Sequence, residues 1–217
     1  MESFRQLEIA QEKLRIWHEA ETRVAALRDG LGRTVDHAIR DVLVACMVNG
    51  LPTRQSCGGH IASEEPDEGW AFPWICFEAN RPENRLVGEA DLRRRISQAY
   101  GVSTRLMEDI PEAANAFYDA VDQLDFVETE EFWEWSVRQE KVRRVVQRVI
   151  DEVYQTHPRS TVSLVMRHGR LEVSLPRDGG RHDSPKTPEA LAAHIREARM
   201  IFDEFGEILK NRFFEGE

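Results

Sequence analysis

Apolar residues recur at intervals of three and four along the start of the chain, at Leu7, Ala10, Leu14 and Trp17, and again at Val24 seven residues on. That spacing predicts an amphipathic helix over about 3–30 with a single apolar stripe. Ala10, Trp17, Val24 and Leu31 keep a seven-residue interval, but Glu21 and Arg28 interrupt the stripe. Packing inside the protein is therefore expected in preference to a long coiled coil. Thr34 offers an N-cap for a second helix, on which Ile39, Val42, Leu43, Cys46 and Met47 share a face, and Asn49-Gly50 ends it. Helical periodicity returns over 83–126, broken near Gly101 and Pro111, and again from Glu128 or Thr129 to about Tyr154. Thr187-Pro188 is the start signal of a last helix, carrying Leu191, Ile195, Ala198, Ile201, Phe202, Phe205 and Leu209.

Strand signals have a different period. Val162, Leu164 and Met166 alternate with polar residues, as do Leu171, Val173 and Leu175, and His168-Gly169 lies between the two runs. The pattern predicts a hairpin over 161–176 with all six apolar side chains on one buried face. Shorter strands are expected at 53–57 and 73–79, and pairing with them would stabilise a hairpin that is marginal alone. The elements add up to an α+β fold, a small antiparallel sheet of about four strands covered by several long helices. They are expected to form a single domain over 1–217.

Composition narrows the class. Of 217 residues, 41% are hydrophobic and 31% charged, a balance that supports a core and excludes a disordered or collagen-like chain. With 29 basic and 39 acidic residues the formal net charge is −10, which opposes general binding to nucleic acid. The basic runs at Arg93-Arg94-Arg95 and around Lys141, Arg143 and Arg144 sit among acids and read as ion-paired helix faces. No apolar run is long enough to span a bilayer, and the opening residues lack a signal peptide's apolar core. Three cysteines, an odd and sparse set, suit a reducing compartment. A cytoplasmic protein with no membrane partner is expected.

One segment has a composition that a fold alone does not demand. In Ser56-Cys57-Gly58-Gly59-His60, adjacent glycines let a ligand approach the main chain, and a cysteine three residues from a histidine can pair a thiol with a base. Ser56, Cys57, Gly58, Gly59 and His60, with Trp74 or Trp70 as a stacking wall, are the expected ligand-binding residues. Cys57 and His60 are the candidates if chemistry occurs. A structural turn with a half-buried thiol is the alternative reading of the same residues.

The stretch Gly50-x-x-Thr53-x-x-Ser56-Cys57-x-Gly59-His60, followed by the strand at Pro73–Phe77, resembles a group of uncharacterised bacterial and phage proteins sharing that pattern. More remotely it is similar to the wyosine-tRNA methyltransferase family, whose motif reads Ser-Ser-Cys-Ser-Gly-Arg. Ser56, Cys57 and Gly59 carry over, whereas Gln55 stands for a serine and His60 for the arginine. That second resemblance implies S-adenosylmethionine or tRNA chemistry.

Cys57-x-x-His60 also has metal-ligand spacing, and Cys76 could approach from the next strand. A structural zinc needs four ligands, and no further Cys/His pair supplies the fourth, so no metal is expected. The sequence names no cofactor. Three function classes follow: binding of a small polar or anionic ligand at the 56–60 loop, a Cys/His-dependent transferase or RNA-modifying enzyme, and an interaction protein forming a homodimer through its long helices.

Overall fold

A computed structural model describes residues 2–28, 32–61, 71–78, 81–157, 162–167, 169–174, 177–178, 181–182 and 187–216. Its elements run α1 (Glu2–Ala26), a 3-10 turn (His37–Ile39), α2 (Arg40–Val48), β1 (Gln55–Cys57), β2 (Trp74–Cys76), α3 (Glu89–Tyr100), a second 3-10 turn (Met107–Asp109) and α4 (Pro111–Val121). They continue with α5 (Glu130–Thr156), β3 (Ser163–Arg167), β4 (Arg170–Ser174), β5 (Arg177–Asp178), β6 (Arg181–His182) and α6 (Pro188–Glu215). This is the expected α+β fold with a small antiparallel sheet. The chain divides into two compact units, one of residues 1–79 with 139–217 and one of residues 80–138.

In the first unit, β1 to β4 form an antiparallel sheet in the order β1-β2-β4-β3, so both short strands lie on one side of the hairpin. Strand alternation gives the sheet two unlike faces. Ile75, Leu171 and Leu164 are buried on one face, with Met166 and Val173 packed against the same core. Val162 is buried with them, and Leu175 lies outside the described residues. The other face carries Gln55, Cys76, Arg170 and Arg167 in one row and Cys57, Trp74, Glu172 and Val165 in the next.

Helices cover the apolar face. All five residues from Val42 to Cys46 are buried, because α2 runs between α1 and α6 and contacts both. Gly206 permits the close approach of α6, since a Cβ there would sit 3.3 Å from the Val42 Cα. The α6 stripe of Ile195, Ala198, Phe202, Phe205 and Leu209 is buried as its periodicity predicts. Its start is also as expected, with the Ala190 N–H donating to Thr187 Oγ1 at 3.2 Å and Pro188 in the first turn. Val146, Val149 and Val153 bring α5 into this core.

Two expectations need correcting. Thr34 does not cap α2: it pairs with Arg28 in an isolated bridge, and α2 starts at Arg40 after the 3-10 turn, with Ile39 at the N-cap position. Only the second half of α1 packs inside, through Trp17, Ala20 and Val24, with Trp17 against the Phe213 and Phe214 rings. Phe4, Leu7, Ile9 and Leu14 on the first half are exposed.

The second unit packs α3 on α4 around Leu92, Met107, Ala113 and Phe117. Arg93 is buried there, 2.8 Å from Glu108 and with its guanidinium 4.4 Å from the Phe117 ring centroid. In the same unit Arg94 pairs with Asp91, and in the first unit Arg143 and Arg144 pair with Glu140, so these members of the two basic runs are ion-paired.

Candidate functional site

The 56–60 segment leaves the sheet at the end of β1. Cys57 is the last strand residue, directly opposite Trp74 on β2, and the chain then turns through Gly58 and Gly59 to His60. Gly59 has φ +74°, in the left-handed region that favours glycine. A Cβ at Gly59 would lie 2.8 Å from the Pro73 nitrogen and 2.9 Å from the Ala71 carbonyl oxygen. Packing therefore requires glycine at 59, while Gly58 is merely crowded, with an added Cβ 3.0 Å from the Asp36 Cβ and 3.2 Å from the Ala38 Cβ.

Two groups distant in sequence hold the turn. Asp36, just before the first 3-10 turn, accepts the Gly58 N–H on Oδ2 at 2.8 Å. From α6, Arg199 Nε donates to the Gly58 carbonyl at 3.1 Å, and a second guanidinium nitrogen donates to the Gly59 carbonyl. Ile61 then anchors the segment among Ala192, Ile195 and Leu191 of α6 and Ala71 and Phe72. Four residues along α6, burial pushes the Asp203 carboxyl up, Asp41 adds to this, and Arg199 opposes it.

The bracing brings three polar side chains together. One ligand-type atom from each of Asp36, Cys57 and His60 lies within 4.8 Å of the other two. His60 Nε2 is 3.5 Å from the same Asp36 oxygen that accepts Gly58. Cys57 is 7% exposed, while the His60 and Asp36 side chains are 19% and 35% exposed, so the thiol forms the floor and the other two the flank.

This triangle differs from a nucleophile–base–acid relay. In a relay the imidazole stands between thiol and carboxylate, and the ring width plus two hydrogen bonds separates those two groups by about 7 Å. Here all three converge on one point. The arrangement suits shared coordination of a single ligand atom better than proton transfer along a line.

The expected site residues are only partly brought together. Cys57, Gly58, Gly59 and His60 are, but Ser56 lies on the opposite face of the sheet, in the row with Ile75 and Leu171. The Gly58 N–H is already committed to Asp36. Trp74 shares the face of Cys57, with the Arg170 guanidinium 4.2 Å from its ring centroid, and its Nε1 is buried with no hydrogen-bond partner among the described residues. Trp70 lies outside the described residues. Cys76 sits opposite Gln55 in the neighbouring row and is not part of the cluster. Burial and then the Glu78 charge raise its thiol above the usual range, and burial alone does so for Cys46, a core residue as expected.

No local motif marks Asp36 or Arg199, because both act across long sequence separations. Comparison of the chain with protein-family models, with curated proteins and with solved structures returns no match. The resemblances noted above therefore rest on the loop motif alone.

Proposed function

We propose that the protein binds a small polar ligand at the turn between Cys57 and His60, with Asp36 as the third contacting group. The carrying observation is the convergence of these three side chains within 4.8 Å on a doubly braced turn. The Trp74 Nε1 donor on the adjoining strand, buried with no hydrogen-bond partner among the described residues, supports the same reading, since leaving such a donor unpaired is costly. Asp36 disfavours a bare anion at this point, so an anionic ligand requires a compensating cation. Cys46, Cys57 and Cys76 form no disulfide, which fits a reducing compartment such as the cytoplasm, and among the described residues no helix is long and apolar enough to cross a membrane.

Thiol alkylation tests this reading. By exposure alone the order of modification is Cys76, then Cys57, then Cys46. Burial holds the Cys46 thiol above its usual range, and burial with the Glu78 charge does the same at Cys76, which slows both. Iodoacetamide at neutral pH is expected to modify Cys57 first in chelator-treated protein, and His60→Ala is expected to slow that site selectively. Peptide mass spectrometry gives the three rates. Modification in order of exposure, with no effect of His60→Ala, sinks the proposal.

A second reading has its own observation. The apolar stripe of α1 continues past its buried half into the exposed Phe4, Leu7 and Leu14, a surface suited to a second copy of the chain. Sedimentation is expected to show a dimer that Leu7→Lys with Leu14→Lys converts to monomer while leaving the melting temperature of the core little changed. A monomeric parent protein ends this reading.

A further inference from the structure

We propose that Asp36, Cys57 and His60 hold a zinc-class divalent cation, with the fourth coordination position taken by the small ligand. The proposal rests on the ligand-binding reading of the same turn and names what anchors the ligand there. The expectation that no metal binds depended on Cys57, His60 and Cys76 lacking a fourth protein ligand. The structure replaces Cys76 with Asp36, and three protein donors with one position left over are the pattern of reactive rather than structural zinc sites.

The donor set selects the metal. A thiolate, an imidazole nitrogen and a carboxylate oxygen suit zinc and its neighbours, while magnesium and calcium take oxygen donors. Tetrahedral bonds of the lengths usual for zinc put ligand atoms about 3.5 Å apart. The observed separations, up to 4.8 Å, need only a contraction of about 1 Å through side-chain torsions. Charge balance points the same way. With such a cation bound, its two positive charges would balance the Cys57 thiolate and the Asp36 carboxylate together at this partly buried site. On binding, the thiol proton leaves to solvent and sulfur bonds the metal.

The surroundings act as a supporting layer. The Gly58 N–H donates to Asp36 Oδ2 and so orients the carboxylate beside His60. Arg199 fixes the two glycine carbonyls, and the crowding at Gly59 holds the turn that brings His60 back over Cys57. The cation also gives an anionic ligand the positive charge that Asp36 otherwise denies it.

Cobalt(II) is the probe. The full chain, stripped with chelator, is titrated with cobalt and followed by absorption. One equivalent is expected to bind, with a thiolate-to-metal charge-transfer band and the visible bands of a tetrahedral ion. Cys57→Ser abolishes the charge-transfer band, Asp36→Asn and His60→Gln weaken binding at least about tenfold, and Cys76→Ser changes nothing. Zinc displaces the cobalt and protects Cys57, but not Cys76, from alkylation. Should Cys57→Ser not fold, wild-type protein alkylated at Cys57 serves instead and must lack the band. Absence of the band, its survival in Cys57→Ser, or its loss in Cys76→Ser overturns the proposal. If cobalt fails to bind while Cys57 is still alkylated first in stripped protein, the metal falls and the ligand-binding reading stands. If stripped protein is modified in order of exposure while cobalt binds through Cys57, the reverse holds.

Discussion

Leu171→Asp is expected to destabilise the first unit by at least about 3 kcal/mol, a large part of the stability of a typical domain. Leu171 is fully buried at the centre of the sheet, paired with Ile75 on one side and Met166 on the other. An aspartate there must be desolvated or protonated, and the apolar face offers it no partner. Glu172→Ala, one residue along the same strand but on the opposite face, removes only a half-exposed side chain and is expected to cost less than about 1 kcal/mol. Chemical denaturation of the two variants measures the difference between the faces. Equal costs would show that the strand is in the wrong register.

Gly59→Ala is expected to cost about 3 kcal/mol and to disperse the site. Two effects add. An L residue is strained at φ +74°, and the new methyl group meets the Pro73 nitrogen and the Ala71 carbonyl, which are backbone atoms that cannot step aside as a flexible side chain can. Gly50→Ala separates the effects, because φ there is +67° but no atom lies within 4 Å of the added carbon, so only the strain of about 1 kcal/mol remains. Thermal melts give the two costs. Iodoacetamide labelling of the Gly59 variant is expected to lose the preference for Cys57, and a retained preference would show that the turn does not organise the cluster.

The long periodic elements were legible because each is specified by many residues that agree. Six alternating apolar positions describe the hairpin, and a cap, a proline and an apolar stripe mark α6 together. Thr34 failed as a single-residue signal, because a bridge to Arg28 occupies the residue and a 3-10 turn intervenes before α2. At the site, Cys57, Gly58, Gly59 and His60 could be read as one local motif. Asp36 reaches Gly58 across 22 residues and Arg199 reaches Gly59 across 140, separations at which no spacing rule operates. Ser56 differs again, because strand alternation places it on the opposite face of the sheet from Cys57.

The bracing by Arg199 also sets an order on assembly. Asp36, Cys57 and His60 emerge early in synthesis, whereas their clamp arrives on the last helix, after the hairpin that completes the sheet. Loop-closure entropy rises only logarithmically, so a clamp 140 residues away rather than 22 costs about 1.6 kcal/mol more to bring in. The thermodynamic penalty is modest. A nascent chain without α6 carries Asp36, Cys57 and His60 without the guanidinium that braces the turn, so the cluster takes its final geometry only once the last helix has docked.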